Sequence, residues 1–172
     1  MKVLRQLAPL PPATAACIGA FDGLHRGHQA LLRRAAELRP RVALVTFDPH
    51  PAQVLAPDRA PPLLQSPAQR ERVCAGLGVD ALVLLPFTAA TAAMTPEDFV
   101  QAILIHGLRP EAVVVGADFR FGAGRAGDAA ALARLLGAAG IDLAVVDVVP
   151  GGAGGDKLGS SGIRAAVAAG AV

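Results

Sequence analysis

Two histidines lie three residues apart in a glycine-rich stretch, Gly19-Ala20-Phe21-Asp22-Gly23-Leu24-His25-Arg26-Gly27-His28. The stretch runs into a predicted helix, so both imidazoles share one face. The helix start adds free N–H groups and partial positive charge. We therefore expect His25 and His28 to donate hydrogen bonds to phosphate oxygens. Zinc is the poorer interpretation, because no third or fourth ligand is near in sequence. For a single histidine, a solvated helix start is the alternative.

A proline-flanked segment follows the next apolar run, Thr46-Phe47-Asp48-Pro49-His50-Pro51. Two prolines hold the backbone extended and fix where Asp48 and His50 point. This geometry suits a rigid wall for a bound ring or phosphate. The alternative is a stiff connector with an exposed histidine.

A third segment, Gly116-Ala117-Asp118-Phe119-Arg120-Phe121-Gly122, places two aromatic residues in a loop. Such rings predict a surface for a flat ligand. Asp118 could position a ligand hydroxyl, a ring nitrogen or a hydrated metal. The alternative is that Phe119 and Phe121 both pack under the loop as core.

The fourth segment, Leu158-Gly159-Ser160-Ser161-Gly162-Ile163-Arg164, begins a short predicted helix. Ser160 or Ser161 could simply cap that helix. The functional interpretation is a phosphate held by hydroxyls, backbone N–H groups and the Arg164 guanidinium. The glycine-rich residues before it would suit a flap that closes over a nucleotide.

Apolar runs and helix-like stretches alternate along the chain and would position these four segments. Strands are predicted at Ala15–Ala20, Val42–Phe47, Ala81–Leu85, Ala112–Gly116 and Leu143–Val149, and helices at 27–38, 67–76, 96–106, 128–139 and about 161–169. Thr95 is a predicted N-cap, and Gly107 and Gly140 are predicted helix stops. The alternation predicts an α/β fold with a doubly wound parallel sheet of five strands, or six if Lys2–Leu4 adds an edge. Ligands of such sheets bind beyond the carboxyl ends of the strands.

The composition excludes several classes of protein. With 172 residues, 53% of them hydrophobic and 17% charged, the chain fits one folded domain. A net charge of +2 gives no reason to expect a nucleic-acid or membrane partner. The chain has no uninterrupted apolar run of about 18 residues, which is the length needed to span a membrane. Cys17 and Cys74 have neither metal nor disulfide spacing, so we expect a reduced, cytoplasmic protein.

Taken together, the four segments resemble bacterial FAD synthetases of the nucleotidylyltransferase superfamily. Residues 19–28 match G-x-F-D-G-x-H-x-G-H, and residues 45–51 resemble V-T-F-D-P-H-P. Residues 116–122 resemble G-x-(N/D)-F-x-F-G, and residues 158–164 resemble I-S-S-T-x-(I/V)-R. The second and third motifs point to the flavin branch, since H-x-G-H alone is shared with other cytidylyl- and adenylyltransferases.

The resemblance implies a Rossmann-like fold and Mg²⁺-dependent transfer of AMP from ATP to FMN. By position, His25 and His28 would contact the ATP phosphates, while Ser160, Ser161 and Arg164 would bind the β/γ side. Asp118 would orient the reacting phosphate, the flavin or Mg²⁺, which phosphates and water would mostly hold, with no protein metal cage. Flavin-site residues would be Phe47, Pro49, Phe119 and Phe121. Other predicted nucleotide- or flavin-binding residues are Gly19, Phe21, Asp22, Gly23, Gly27, Asp48, His50 and Gly116.

The chain also departs from the family pattern. Gly159 replaces the usual Ser and Ser161 the usual Thr, which loosens the loop but keeps two hydroxyls. Bacterial FAD synthetases usually continue into a riboflavin kinase domain, whereas we expect residues 1–172 to form a single nucleotidylyltransferase domain. A transferase for another phosphorylated acceptor and a non-catalytic flavin- or nucleotide-binding module are the alternatives. The oligomeric state is not readable from the sequence.

Overall fold

The fold is a six-stranded, fully parallel sheet within the part of the chain that the computed structural model describes, residues 1–147 and 159–171. The strand order is β1-β4-β3-β2-β5-β6, with every neighbouring pair parallel. The strands are β1 (Lys2–Leu4), β2 (Thr14–Ile18), β3 (Arg41–Asp48), β4 (Ala81–Pro86), β5 (Ala112–Gly116) and β6 (Asp142–Val146). The predicted fold class is confirmed, and Lys2–Leu4 does add the edge strand. Residues 148 and 149 of the last predicted strand lie outside the described residues.

Helices connect the strands and cover the sheet. They are α1 (Arg26–Leu38), α2 (Pro51–Leu55), α3 (Pro67–Gly76), α4 (Ala89–Ala93), α5 (Pro96–Phe99), α6 (Ala129–Gly137) and α7 (Ser160–Ala168). A π-helix (Val100–Leu108) continues α5, and 3-10 turns lie at Pro57–Arg59 and Ala123–Arg125. Each helix predicted from the sequence is present. The five-residue helices α2 and α4 were not predicted, because they are too short to show a helical period.

Gly107 does not stop a helix, contrary to the prediction. The π-helix passes through it and ends at Leu108, and Arg109 then takes a left-handed conformation with φ 52°. A Cβ on Gly107 would overlap the Leu7 side chain and lie 2.8 Å from the carbonyl oxygen of Ala102. The glycine is therefore needed for close packing of the N-terminal segment, and the chain reverses two residues later.

Alternate residues of the strands feed two cores, one on each face of the sheet. On one face, Ile18 and Val45 pack with residues of the π-helix and α6 such as Leu104 and Leu132. On the other face, Cys17, Leu44 and Val114 pack with Leu31, Leu32 and Ala35 of α1 and with Cys74 of α3. Burial on both faces explains why the strands are almost continuously apolar.

The chain changes direction across the sheet at β2, whose neighbours are β3 on one side and β5 on the other. The segments that leave the carboxyl ends of β2 and β5 therefore diverge and leave a crevice between them. Such a switch point is where open α/β sheets bind ligands. The histidine-rich loop follows β2, and Asp118 follows β5.

Candidate active site

The His25 side chain caps the N-terminus of α1. Its Nδ1 accepts a hydrogen bond from the backbone N–H of His28 at 3.3 Å, which caps the helix. A backbone N–H can only donate, so Nδ1 of His25 carries the lone pair and Nε2 carries the ring proton. This ring can therefore donate from Nε2 to an anion.

His28 has the opposite tautomer. Its Nδ1 lies 3.0 Å from the carbonyl oxygen of Gly23, which can only accept, so Nδ1 carries the proton and Nε2 is an acceptor in the neutral ring. The ring stacks on His25 with centroids 3.7 Å apart and meets the edge of Phe21 at 4.9 Å. Burial, and then the charge of His25, lowers the pKa of His28 to about 4. At neutral pH this imidazole is uncharged.

Four of the residues predicted to contact ligand in this loop are tightly packed or belong to α1. Phe21 is only 1% exposed, has φ 43°, and would lie 3.3 Å from a Cβ on Gly19. A Cβ on Gly23 would overlap the side chain of Leu64 at 2.8 Å. At Gly23 the Leu64 side chain approaches the backbone closely. Gly27 lies within α1, one residue before His28.

Asp22 is buried and ties three segments together. One carboxylate oxygen accepts from the backbone N–H of Leu64 at 2.8 Å, and the other pairs with the Arg164 guanidinium. Its carbonyl oxygen accepts from the Ser160 hydroxyl at 2.6 Å. The Nε–H of Arg164 donates to the carbonyl oxygen of Pro62 at 2.9 Å. Asp22 therefore holds α7 against the β2–α1 loop.

The N-terminus of α7 has no side-chain cap from the described residues, because Gly159 occupies the N-cap position. The capping alternative for the two serines is therefore not what the structure shows. Ser160 bonds to Asp22, and Ser161 is exposed in the first turn. Leu158, the first residue of this motif, lies outside the described residues.

The segment after β3 turns at once into α2. The Asp48–Pro49 peptide bond is cis, and Asp48 is exposed with its carboxylate 3.7 Å from Arg5. Nδ1 of His50 accepts from the N–H of Ala52 at 3.2 Å and caps α2. Burial is the main cause that lowers the pKa of His50. A helix begins at Pro51, directly after this segment, so the alternative of a stiff connector with a merely exposed histidine does not describe it.

Five of the six phenylalanines form a continuous row of rings. The neighbouring centroids are 5.4, 6.4, 5.6 and 5.5 Å apart in the order Phe87, Phe47, Phe99, Phe121, Phe119. Phe121 is 6% exposed and belongs to the core, so the prediction of a surface ring is corrected for that residue. Phe47 and Phe119 are half-buried and remain accessible at the ends of β3 and β5.

Asp118 lies in the turn after β5 and is exposed. Its negative charge is felt at His28, where it opposes the effect of burial on the pKa of the imidazole. One of its carboxylate oxygens would lie 3.1 Å from a Cβ on Gly116, so the small residue leaves room for the carboxylate. The charge effect of Asp118 on His28 indicates that the carboxylate lies near the histidine pair, at the switch point.

Residues of α3 were missed by the sequence analysis. Arg70 is buried there, and Gln65 in the segment before it has a buried Oε1 without a hydrogen-bond partner among the described residues. A signal was present, because Arg70 stands four residues before the buried Cys74 and so shares its helix face.

Residues 1–147 and 159–171 contain no group of three or more His, Cys, Asp or Glu side chains that could hold a metal ion. In the same part of the chain, no helix is long and apolar enough to cross a bilayer.

Comparison with known proteins gives consistent matches. The family model described as FAD synthetase matches residues 8–161. The chain is 36% identical over 176 residues to the bifunctional riboflavin kinase/FMN adenylyltransferase of Escherichia coli (strain K12), covering 98% of this chain and 56% of that protein. It is 35% identical to an FAD synthetase of Listeria monocytogenes serovar 1/2a, covering 92% of this chain and 66% of that one. The chain thus spans just over half the length of the E. coli relative.

Solved structures show the same architecture. A Streptococcus pneumoniae protein described as a macrolide-efflux protein superimposes with a TM-score of 0.81 and 29% identity, covering 98% of this chain and 59% of that one. Pantothenate synthetase from Thermus thermophilus gives a TM-score of 0.63 at 19% identity, covering 95% of this chain and 67% of that one. The second likeness concerns the fold alone.

Proposed function

Because the chain belongs to the FAD synthetase family, we propose that it transfers the AMP moiety of ATP to FMN, giving FAD and pyrophosphate. The observation that carries the proposal is the stacked histidine pair at the N-terminus of α1, beyond the carboxyl end of β2. A helix N-terminus at the switch point of a parallel sheet is suited to a polyphosphate.

The reaction is a direct displacement at phosphorus. A phosphate oxygen of FMN attacks the α-phosphorus of ATP, and an O–P bond forms there. The bond from the α-phosphorus to its bridging oxygen breaks, and the electron pair leaves with pyrophosphate. The attacking phosphate is already anionic, so no activated Ser or Cys is required. The protein must supply alignment and stabilise the developing charge.

The histidine side of the site binds the ATP phosphates. Nε2–H of His25 donates to a phosphate oxygen, alongside the N–H groups of the first turn of α1. His28 is neutral in the free protein, and negative phosphate charge nearby would favour its protonated form. In that form its Nε2 also becomes a donor.

The α7 side receives the departing pyrophosphate. The guanidinium of Arg164 uses one N–H on Pro62 and one on Asp22, which leaves further donors for phosphate oxygens. Ser161 and the N-terminal N–H groups of α7 lie beside it. The Asp22 contact thus orients the guanidinium without using all of it.

Half-buried rings shape the flavin side of the site. Phe47 and Phe119 flank Phe99 and Phe121 of the core within the aromatic row. Pro49 follows Phe47 in the segment after β3. These surfaces are suited to contact an isoalloxazine ring.

Mg²⁺ fits this donor set only as an ion held mainly by phosphate oxygens and water. The described residues offer the exposed Asp118 near His28 and no cluster of three or more ligating side chains. Asp118 would hold such an ion, or a water bound to it. When bound, Mg²⁺ supplies neutralisation of phosphate charge.

The test is incubation of the purified chain with ATP, Mg²⁺ and either FMN or riboflavin, with products separated by chromatography. We expect FAD from FMN, nothing from riboflavin, and loss of product when EDTA removes the cation. ATP binding without any FAD would overturn the proposal and lead to a panel of other phosphorylated acceptors. A single nucleotidylyltransferase domain over 1–172 and a cytoplasmic location stay predictions.

A further inference from the structure

Arg70 is a buried cation without a counter-ion in the part of the chain that the structure describes. The residue is 9% exposed, and its Nε is buried without a hydrogen-bond partner among the described residues. Within residues 1–147 and 159–171, no carboxylate forms an ion pair with it. It stands on α3, four residues before the fully buried Cys74. An uncompensated buried charge costs several kcal/mol in general, so its retention needs a reason.

Two carboxylates whose charges act in the region of Arg70, Glu71 and Asp22, are already engaged. Glu71, the next residue, pairs with Arg5 at 3.2 Å. Asp22 holds Arg164 with one oxygen and the backbone N–H of Leu64 with the other. Burial raises the pKa of the Cys74 thiol to about 11, so the thiol is neutral and supplies no negative charge.

Arg70 belongs to the same electrostatic neighbourhood as the candidate active site. The charges of Asp22, Arg164 and Arg70 all act on the His50 imidazole. The chain connects these groups directly, because Pro62 and Leu64 contact Arg164 and Asp22, and Ser66 then caps α3. Of the three charged groups that act on His50, two are guanidinium groups and one is a carboxylate, and that carboxylate pairs with Arg164.

Two further polar atoms there have unused capacity. His50 uses Nδ1 to accept from Ala52, so its neutral ring carries a proton on Nε2. Gln65, in the segment before α3, has a buried Oε1 without a partner among the described residues. Arg70 requires an anionic acceptor, whereas Gln65 requires a donor. A phosphorylated molecule with sugar or polyol hydroxyls carries both kinds of group.

We propose that Arg70 binds a phosphate group of a substrate, with His50 as a neighbouring donor, and so forms a further phosphate-binding position beside those at the α1 N-terminus and at Arg164. The identity of that substrate as ATP or FMN rests on the proposed function. The binding of an anion by Arg70 does not.

The proposal predicts effects of opposite sign on binding and on stability. Removing the charge takes away a ligand contact, so affinity for the phosphate falls. Removing it also relieves the free protein of an unpaired buried cation, so the free protein is not destabilised. A purely structural arginine would behave differently, since its loss would lower stability and leave affinity unchanged.

The experiment compares Arg70→Met with Arg72→Met. Methionine keeps an apolar stem and removes the charge, and Arg72 is an exposed arginine on the same helix. ATP, FMN, riboflavin and inorganic pyrophosphate are each titrated against each protein by calorimetry at one ionic strength. Thermal unfolding of the free proteins is measured in parallel.

We expect Arg70→Met to weaken binding of at least one phosphate-bearing ligand by about 10-fold or more, the size of a lost charged hydrogen bond. Riboflavin, which lacks the phosphate, should bind Arg70→Met as it binds the unaltered protein. Arg72→Met should bind all four ligands normally, and free Arg70→Met should unfold at an unchanged or higher temperature.

The pattern of losses identifies the ligand. If Arg70→Met loses affinity for FMN alone, Arg70 binds the phosphate of the acceptor. If it loses affinity for ATP and pyrophosphate, Arg70 binds the triphosphate. Unchanged affinity for all phosphate-bearing ligands overturns the proposal, as does an equal loss for FMN and riboflavin. Failure of the proposed function would give a different result: ATP would bind with an affinity that Arg70→Met lowers, but no FAD would form.

Discussion

His25 and His28 have the same side chain, but the backbone gives them opposite tautomers. His25 accepts from the N–H of His28 and presents an Nε2–H, whereas His28 donates to Gly23 and leaves Nε2 as an acceptor. Their rings stack at 3.7 Å. Protonation of His28 is the one change that would make both Nε2 atoms donors, so its charge state should respond to bound phosphate.

The depressed pKa of His28 predicts how stability depends on pH. Its pKa is about 4 in the folded protein, mainly because of burial, against an ordinary value of 6.5. As the pH falls below 6.5, the unfolded chain binds this proton before the folded protein does. The free energy of unfolding should therefore rise between about pH 4 and 6.5 and level off above, with roughly 3 kcal/mol coming from His28. His50 contributes in the same direction, since its pKa is also lowered.

Urea unfolding from pH 4.5 to 7.5 measures this slope. His28→Gln should flatten much of it, whereas His106→Gln, which alters an exposed imidazole on the π-helix, should keep it. An unchanged slope in His28→Gln would contradict the assignment.

The two roles of His25 can be separated by its replacement. His25→Asn keeps a good N-cap residue for α1 but removes the Nε2–H, whereas His25→Ala removes both. We expect both variants to lower turnover by roughly 10²-fold, and only His25→Ala to lose about 1 kcal/mol of stability. Steady-state kinetics and urea unfolding of the pair check this, and normal turnover in His25→Asn would remove the residue from phosphate binding.

At the scale of elements, α7 is held to the rest of the protein by polar contacts at Asp22 rather than by a buried face. Its described side chains are half-buried or exposed, and its contacts run through Ser160 and Arg164 to Asp22 and Pro62. A helix attached in this way can be released by a single substitution.

Asp22→Asn is predicted to loosen α7. The amide can still accept a hydrogen bond from the Leu64 N–H, but it no longer balances the charge of the mostly buried Arg164 guanidinium. Removing one partner of such an ion pair lowers the free energy of unfolding by about 3 kcal/mol. Hydrogen exchange should show loss of protection across 160–168, together with lower turnover. The exposed Asp58→Asn serves as the control, and unchanged α7 exchange in Asp22→Asn would refute the prediction.

Two helical glycines should respond oppositely to alanine. Gly107→Ala would force its Cβ into Leu7 and toward Ala102, which we expect to cost about 1–3 kcal/mol. A Cβ on Gly137 of α6 would meet nothing within 4 Å, so Gly137→Ala should be neutral or add roughly 0.5–1 kcal/mol. Chemical denaturation of both variants decides, and equal effects would mean that the contact of Gly107 is not limiting.

At the scale of the whole molecule, the two ends of the parallel strands carry different kinds of residue. The histidines, the aromatic row and Asp118 lie at the carboxyl ends. At the amino ends there is an ionic network in which Arg39 contacts Glu111 at 3.2 Å and Asp142 at 2.7 Å. Glu111 also accepts from the N–H of Ala13, which has φ 57°. This network ties the starts of β2, β5 and β6 together.

Arg39→Met should therefore lower the unfolding temperature and leave kcat and KM unchanged. Arg33→Met, at an exposed position of α1, should change neither. Thermal unfolding and steady-state kinetics test this separation. A clear fall in kcat for Arg39→Met would show that the ionic network at the amino ends of the strands affects the candidate site at their carboxyl ends.

Much of the fold was readable because its signals are local. The five apolar runs, the helix cap at Thr95 and the helix stop at the positive-φ Gly140 depend only on residues nearby in sequence, and the structure confirms them. The predictions were wrong where contacts with residues distant in sequence set the role of a residue. Gly107 is small because Leu7 packs against it, and Phe121 is buried because it packs on Phe99 of the core.

The candidate site shows the same division. The sequence alone determined which residue types stand after each strand, and the rule for parallel sheets predicted that ligands bind beyond the carboxyl ends of the strands. It could not show that Asp22 is consumed by Arg164, some 140 residues away, or that Arg70 is left without a counter-ion among the described residues. Local patterns specify elements and their order, because hydrophobic period and capping act over a few residues. Charge pairing and burial are properties of the packed chain, so only the tertiary structure decided which polar groups remain available to a ligand.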